Sequence, residues 1–134
     1  MEYADYHARV SRAFAAMGKA PADPWRPGYH LTPLAGTLGD PNGLCQQGDV
    51  FHIFYVTSPL ACETDQRTPC VWGHCTTTDF VHYTRQPVAL WPDGRRDRDG
   101  VYSGSALWAD GTLFLYYTGN VRHHGEYDYI HAGR

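Results

Sequence analysis

The chain has 134 residues, 43% hydrophobic, 14% aromatic and 19% charged, a balance that excludes a disordered or collagen-like polymer. Eleven Lys and Arg against fourteen Asp and Glu leave a formal charge of -3, the wrong sign for a protein that neutralises nucleic-acid phosphates. No run reaches the ~18 to 20 apolar residues that cross a bilayer. Met1-Glu2-Tyr3-Ala4-Asp5 shows no basic-then-apolar leader, so a cytoplasmic protein is expected.

Residues 1–20 read as an amphipathic helical segment and residues 21–134 as a β domain. Tyr6, Val10, Phe14 and Met17 recur at helical spacing over about Tyr3 to Met17, with Arg9, Arg12 and Lys19 on other faces. Gly18 and Pro21 supply the stop. Pro24, Pro27, Pro33, Pro41 and several glycines then mark an irregular stretch up to about Gly48.

Short runs rich in Val, Tyr, Phe and Thr follow, at Val50–Val56, Val71–Thr77, Phe80–Arg85, Tyr102–Ala109 and Thr112–Thr118. Asp110-Gly111 predicts a two-residue hairpin, because both residues accept the positive φ of a type I′ turn. Residues 43–56 and 104–118 read as one unit repeated: a strand, a Gly-Asp or Asp-Gly turn, and an aromatic strand. An interval of roughly sixty residues suits propeller blades with long outer loops. Two copies cannot close a propeller, so either the fold is another one or further chain completes it.

Cys45, Cys62, Cys70 and Cys75 are expected to be reduced core thiols, since no secretory leader is visible. Cys70, His74 and Cys75 lack the spacing of zinc ligands, and adjacent His123 and His124 rarely share one ion. No metal or other cofactor is expected. Cys75 beside His74 lacks an orienting group for a nucleophile. Arg95-Arg96-Asp97-Arg98-Asp99 reads as a solvated loop of mixed charge, with a phosphate patch as the alternative.

The chemistry concentrates in Asp40-Pro41-Asn42-Gly43. These are ordinary turn residues, and the same arrangement also holds a carboxylate rigidly before a strand, as a nucleophile requires. Around it, in order, stand Arg26-Pro27-Gly28-Tyr29-His30, Tyr55, Trp72-Gly73-His74, Asp79-Phe80-Val81-His82-Tyr83, Tyr102-Ser103-Gly104-Ser105 and Tyr116-Tyr117-Thr118-Gly119. In this order and spacing the chain, from about Arg26 to Arg134, closely resembles the N-terminal part of glycoside hydrolase family 32, the β-fructofuranosidases.

The resemblance implies a five-bladed β-propeller, of which about the first two blades are present, with a funnel-shaped pocket at its axis. It implies retaining hydrolysis of terminal β-fructofuranosyl bonds in sucrose, sucrose 6-phosphate or fructans. Asp40 matches the family nucleophile, and Asn42, Trp72, Tyr102 and Ser103 match positions expected to bind the sugar. The partner implied is a small β-fructoside, with no nucleic acid and no membrane.

Two departures stand out. The family's usual Trp-Met-Asn before the nucleophile is Thr37-Leu38-Gly39 here, and its Gln after Phe-Tyr is Val56. Neither the family's Arg-Asp-Pro nor its acid/base Glu-Cys motif occurs, and the three glutamates, Glu2, Glu63 and Glu126, sit in other contexts. The chain is therefore read as the front of a longer enzyme, inactive alone. A fructosyltransferase on the same scaffold and a non-catalytic fructoside-binding remnant are the alternatives.

Overall fold

The computed structural model describes residues 3–17, 23–61, 68–123 and 126–133, with the backbone alone described for 3, 17, 123 and 126–133. Gly18, Lys19, Pro21, Cys62 and His124 lie outside the described residues. The helix α1 spans Tyr3–Met17, as its periodicity predicts. Seven strands follow: β1 Thr37–Gln47, β2 Val50–Ser58, β3 Val71–Thr77, β4 Thr84–Leu90, β5 Val101–Ala109, β6 Thr112–His123 and β7 Glu126–Gly133.

They form two antiparallel meanders, β1-β2-β3-β4 and β5-β6-β7, each opened by the repeated hairpin. In the second hairpin Asp110 has φ 48° and Gly111 φ 75°, so both central residues are left-handed, as a type I′ turn requires. In the first, Gly48 takes φ 59° ahead of Asp49.

Two expectations about the strands need correction. The predicted strand Phe80–Arg85 is mostly a turn, and β4 begins only at Thr84. Side chains outcompete the ladder there: Asp79 Oδ1 accepts the N–H groups of Val81 (2.9 Å) and His82 (2.8 Å), while Thr77 Oγ1 accepts that of Phe80 (2.9 Å). Phe80 is left at φ 57°. The hydrogen bond from His82 holds the Asp79 carboxyl well below the usual carboxylate range, helped by these backbone donors. Conversely, β1 runs through the end of the stretch expected to be irregular. Its Pro41 and the Pro87 of β4 are tolerated because β1 and β4 are the outer strands of their sheet.

Alternation along β3 gives each face of the first sheet its own core. Val71 points to α1, where Tyr6, Val10, Ala13, Ala35 and Leu60 are buried with it and Phe14, Val88 and Trp91 pack alongside. Trp72 points to the second sheet and is buried with Phe54, Leu90, Val101, Leu115 and Tyr117. Fully burying one such large apolar side chain contributes ~1.5 to 3 kcal/mol. The hydrogen bond from Tyr6 Oη to the Pro69 carbonyl (2.5 Å) adds only ~1 kcal/mol to that. Burial therefore holds α1 in place, and the bond fixes its register.

The Arg95–Asp99 segment is not wholly solvated, because Asp97 is 1% exposed. Its Oδ2 accepts from Tyr117 Oη (2.7 Å) and its Oδ1 from the N–H groups of Gly94 (2.8 Å) and Asp93 (3.2 Å). A carboxylate this deep is stable only with such donors. It ties the turn before β5 to the middle of β6.

Candidate active site

β1 and β5, the first strands of the two sheets, pack against each other, and each carries a β-bulge at the contact. In β1, Leu38 pairs with Thr57 and Pro41 with Tyr55, so Gly39 and Asp40 together stand opposite Val56. A second irregularity sets Gly43 and Leu44 opposite Ile53, with Gly43 at φ 57°. A left-handed glycine in the first bulge position needs no strain where any other residue would. In β5, Tyr102 pairs with Thr118 and Gly104 with Tyr117, which leaves Ser103 as the extra residue. A bulge turns its side chain out of the regular alternation. The Asp-Pro-Asn-Gly sequence is thus a bulged strand rather than a turn preceding one.

The two bulges face each other. Ser103 Oγ donates to Asp40 Oδ2 at 3.0 Å, and the Asp40 carboxylate is otherwise open to solvent. Asn42 Nδ2 donates to the Asp40 carbonyl (3.1 Å), while Asn42 Oδ1 accepts the Gly104 N–H (3.0 Å). Trp72 Nε1 donates to the Tyr102 carbonyl at 2.9 Å. All five residues singled out in the sequence are linked here through side chain or backbone. They differ in access: Asp40 is exposed, Tyr102 and Ser103 are half-buried, and Asn42 and Trp72 are buried at 7% and 0% exposure.

Gly104 belongs to the same group and was not singled out in the sequence. Its N–H reaches Asn42, and a Cβ there would stand 1.9 Å from the Tyr116 carbonyl oxygen, so no side chain fits. The signal was the glycine between two serines in an otherwise β-rich run.

The remaining titratable groups offer less. Cys45, Cys70 and Cys75 are free thiols. Cys75 is fully buried, and burial pushes its thiol up to about 11, so it supplies no thiolate near neutral pH. His52 Nδ1 lies 3.0 Å from His74 Nε2, and burial, with His52 adding to it, pushes His74 down to about 4. Among the described residues no three His, Cys, Asp or Glu side chains are grouped to hold a metal ion. No described helix is long and apolar enough to cross a membrane. A hollow of about 610 Å³ lies on the first sheet, lined largely by apolar side chains such as Leu38, Leu44, Phe51, Ile53 and Phe80. A sugar ring needs convergent polar partners, and those converge at Asp40 instead.

Residues 30–132 match the family model for the glycosyl hydrolases family 32 N-terminal domain. The chain belongs to glycosyl hydrolase family 32. The family resemblance read from its motifs is therefore correct. Over 104 residues, 78% of the chain, it is 48% identical to a sucrose-6-phosphate hydrolase of Klebsiella pneumoniae. Its fold is similar to that of sucrose-6-phosphate hydrolase from Lactobacillus gasseri, with a TM-score of 0.75, 31% identity and 99% of the chain covered. It is also similar to fructan 1-exohydrolase IIa from Cichorium intybus solved in complex with 1-kestose, at TM-score 0.63 and 33% identity over 74% of the chain. The family 32 chain spans 22%, 26% and 18% of the lengths of these three proteins. Its two meanders are the sheets of a β-propeller, as the sequence repeat predicts.

Proposed function

We propose that this chain carries the nucleophile of a retaining β-fructosidase acting on sucrose or sucrose 6-phosphate. The observation that supports it is the exposed Asp40 carboxylate, held on a bulge and anchored through one oxygen by Ser103. Among the described residues no side-chain donor reaches Oδ1, and this is the oxygen that attacks. It adds to the anomeric carbon of the fructosyl unit while the bond to the leaving oxygen breaks, giving a fructosyl ester on Asp40. A second carboxyl protonates the leaving oxygen and then, as carboxylate, takes a proton from the water that hydrolyses the ester. In retaining enzymes the two carboxyl groups lie ~5 to 5.5 Å apart.

That acid is proposed to be a Glu from outside these 134 residues, which hold none in the family context. Tyr102 and Ser103, both half-buried beside Asp40, are proposed to line the fructose subsite. Residues 21–134 would be the first two blades of a five-bladed domain, with residues 1–20 as an added helix on blade one. The reaction consumes the β-fructoside and one water, and as written it calls on no cofactor. A charged sugar phosphate does not cross an apolar bilayer unaided, and we propose a cytoplasmic enzyme on that ground.

The test assays the complete enzyme for fructose release from sucrose and from sucrose 6-phosphate, with product configuration followed by NMR before mutarotation. Release of fructose in the β configuration is expected. Oligosaccharide products at high sucrose would make the enzyme a transferase, and binding without turnover would make it a lectin-like protein.

A further inference from the structure

The contact between Asp40 and Ser103 joins two bulges, and a bulge residue has no cross-strand partner to fix it. Ser103 is the unpaired residue of the β5–β6 ladder. Besides the β5–β6 pairing of Tyr102 and Gly104, its two neighbouring peptides are each gripped from the other sheet. On one side Trp72 Nε1 donates to the Tyr102 carbonyl (2.9 Å); on the other Asn42 Oδ1 accepts the Gly104 N–H (3.0 Å). Asn42 also donates from Nδ2 to the carbonyl of Asp40 itself (3.1 Å).

Both side chains are buried. Trp72 has no exposed surface, and a Cβ on Gly43 would already stand 3.1 Å from its Cζ3, so the indole fills the space beneath the β1 bulge. One residue before the clamp, the Val101 N–H donates to the Cys70 carbonyl (3.0 Å), which ties the start of β5 to the segment leading into Trp72.

We infer that Trp72 and Asn42 are positioning residues which grip the peptides flanking Ser103 and so aim its hydroxyl at Asp40, rather than contacts to the sugar. The inference rests on the reading of Asp40 as the nucleophile. Its chemistry is specific. An indole is required for its N–H, which a phenyl ring of nearly the same shape lacks. An amide is required because it accepts from one bulge and donates to the other. Because both act through Ser103, their effect is on turnover more than on substrate affinity.

The test uses the complete enzyme with Trp72→Phe, Asn42→Ala and Ser103→Ala, singly and with each of the first two combined with the third. Trp72→Phe is expected to lower kcat for sucrose by roughly tenfold, the size of one hydrogen bond to a charged group, with KM nearly unchanged. In the Ser103→Ala background the same substitution is expected to cost nothing further. A full tenfold loss that persists without the Ser103 hydroxyl, or a change in KM alone, would overturn the inference. Asn42→Ala runs the same cycle should Trp72→Phe not fold. Crystal structures of the variants give a readout independent of activity: Ser103 Oγ should leave Asp40, and an unmoved Ser103 would overturn the clamp. An inactive wild-type enzyme would refute the Asp40 reading, while the crystal structures still decide the clamp.

Discussion

Asp40 owes its accessibility to being one residue too many in its strand. In a regular β1 it would pair with β2, whereas the bulge opposite Val56 frees its side chain and lets Ser103 reach Oδ2. Asp40→Asn keeps the shape and removes the proposed nucleophile. It should lower kcat by on the order of 10⁴- to 10⁶-fold, with an unchanged melting temperature, read by stopped fructose-release assays and a thermal melt. Next to it, a Cβ on Gly39 would meet only ordinary contacts, the nearest being the Val56 carbonyl oxygen at 3.5 Å. Gly39→Asn restores the amide that the family usually carries there. Steady-state kinetics should show KM for sucrose falling by up to roughly tenfold, with stability unaffected.

At the scale of the element, the bulges depend on glycine more than on the residues they display. Gly43 combines φ 57° with contacts of 3.1 Å to Trp72 and 3.2 Å to Phe54 at its Cβ position. Gly43→Ala should therefore cost ~1 to 2 kcal/mol for the left-handed backbone alone, and more from crowding, measured by denaturant melts.

Between β2 and β3, His74 is half-buried and neutral against His52 and Phe54. Its folded value of about 4 lies below the ordinary 6.5, so the unfolded chain binds the proton first as pH falls. Stability should be level above pH 6.5 from this group and decline from pH 6.5 to about 4. His74→Gln should flatten that decline in thermal melts taken across the same range.

Elements were legible where the signal was local. The helix showed in the spacing of Tyr6, Val10 and Phe14, and the hairpin in Asp110-Gly111. Phe80–Arg85 misled because Phe, Val, Tyr and Thr favour strands, while the Asp79 carboxylate outcompetes the ladder for the N–H groups of Val81 and His82. Asp-Pro-Asn-Gly was legible as chemistry and not as geometry. The same residue types serve turns and bulges, and only the partner strand's register decides between them.

On the scale of the whole molecule, the repeat with its roughly sixty-residue interval was readable, and so was the family. What holds the sheets together was not. Asp97 sat in a run of charges, and its burial depends on Tyr117, twenty positions away. Trp72 and Asn42 carry motifs that read as sugar contacts, whereas each is buried at the seam between sheets.

The described part also leaves apolar surface uncovered: Leu107 is 53% exposed, Tyr116 50% and Phe80 50%, besides the hollow on the first sheet. A polypeptide of these 134 residues alone should aggregate or unfold without a cooperative transition, because patches of this size favour association. A sharp melt from a monomer in calorimetry and sedimentation would contradict that expectation.

Asp40, as the proposed nucleophile, forms the covalent intermediate. Rapid acid quench of the complete enzyme during sucrose turnover, followed by peptide mass spectrometry, tests it directly. One fructosyl mass is expected on the peptide holding Asp40-Pro41-Asn42-Gly43, absent in Asp40→Asn. A fructosyl mass on any other carboxylate, or turnover with inverted product and no adduct, would contradict it.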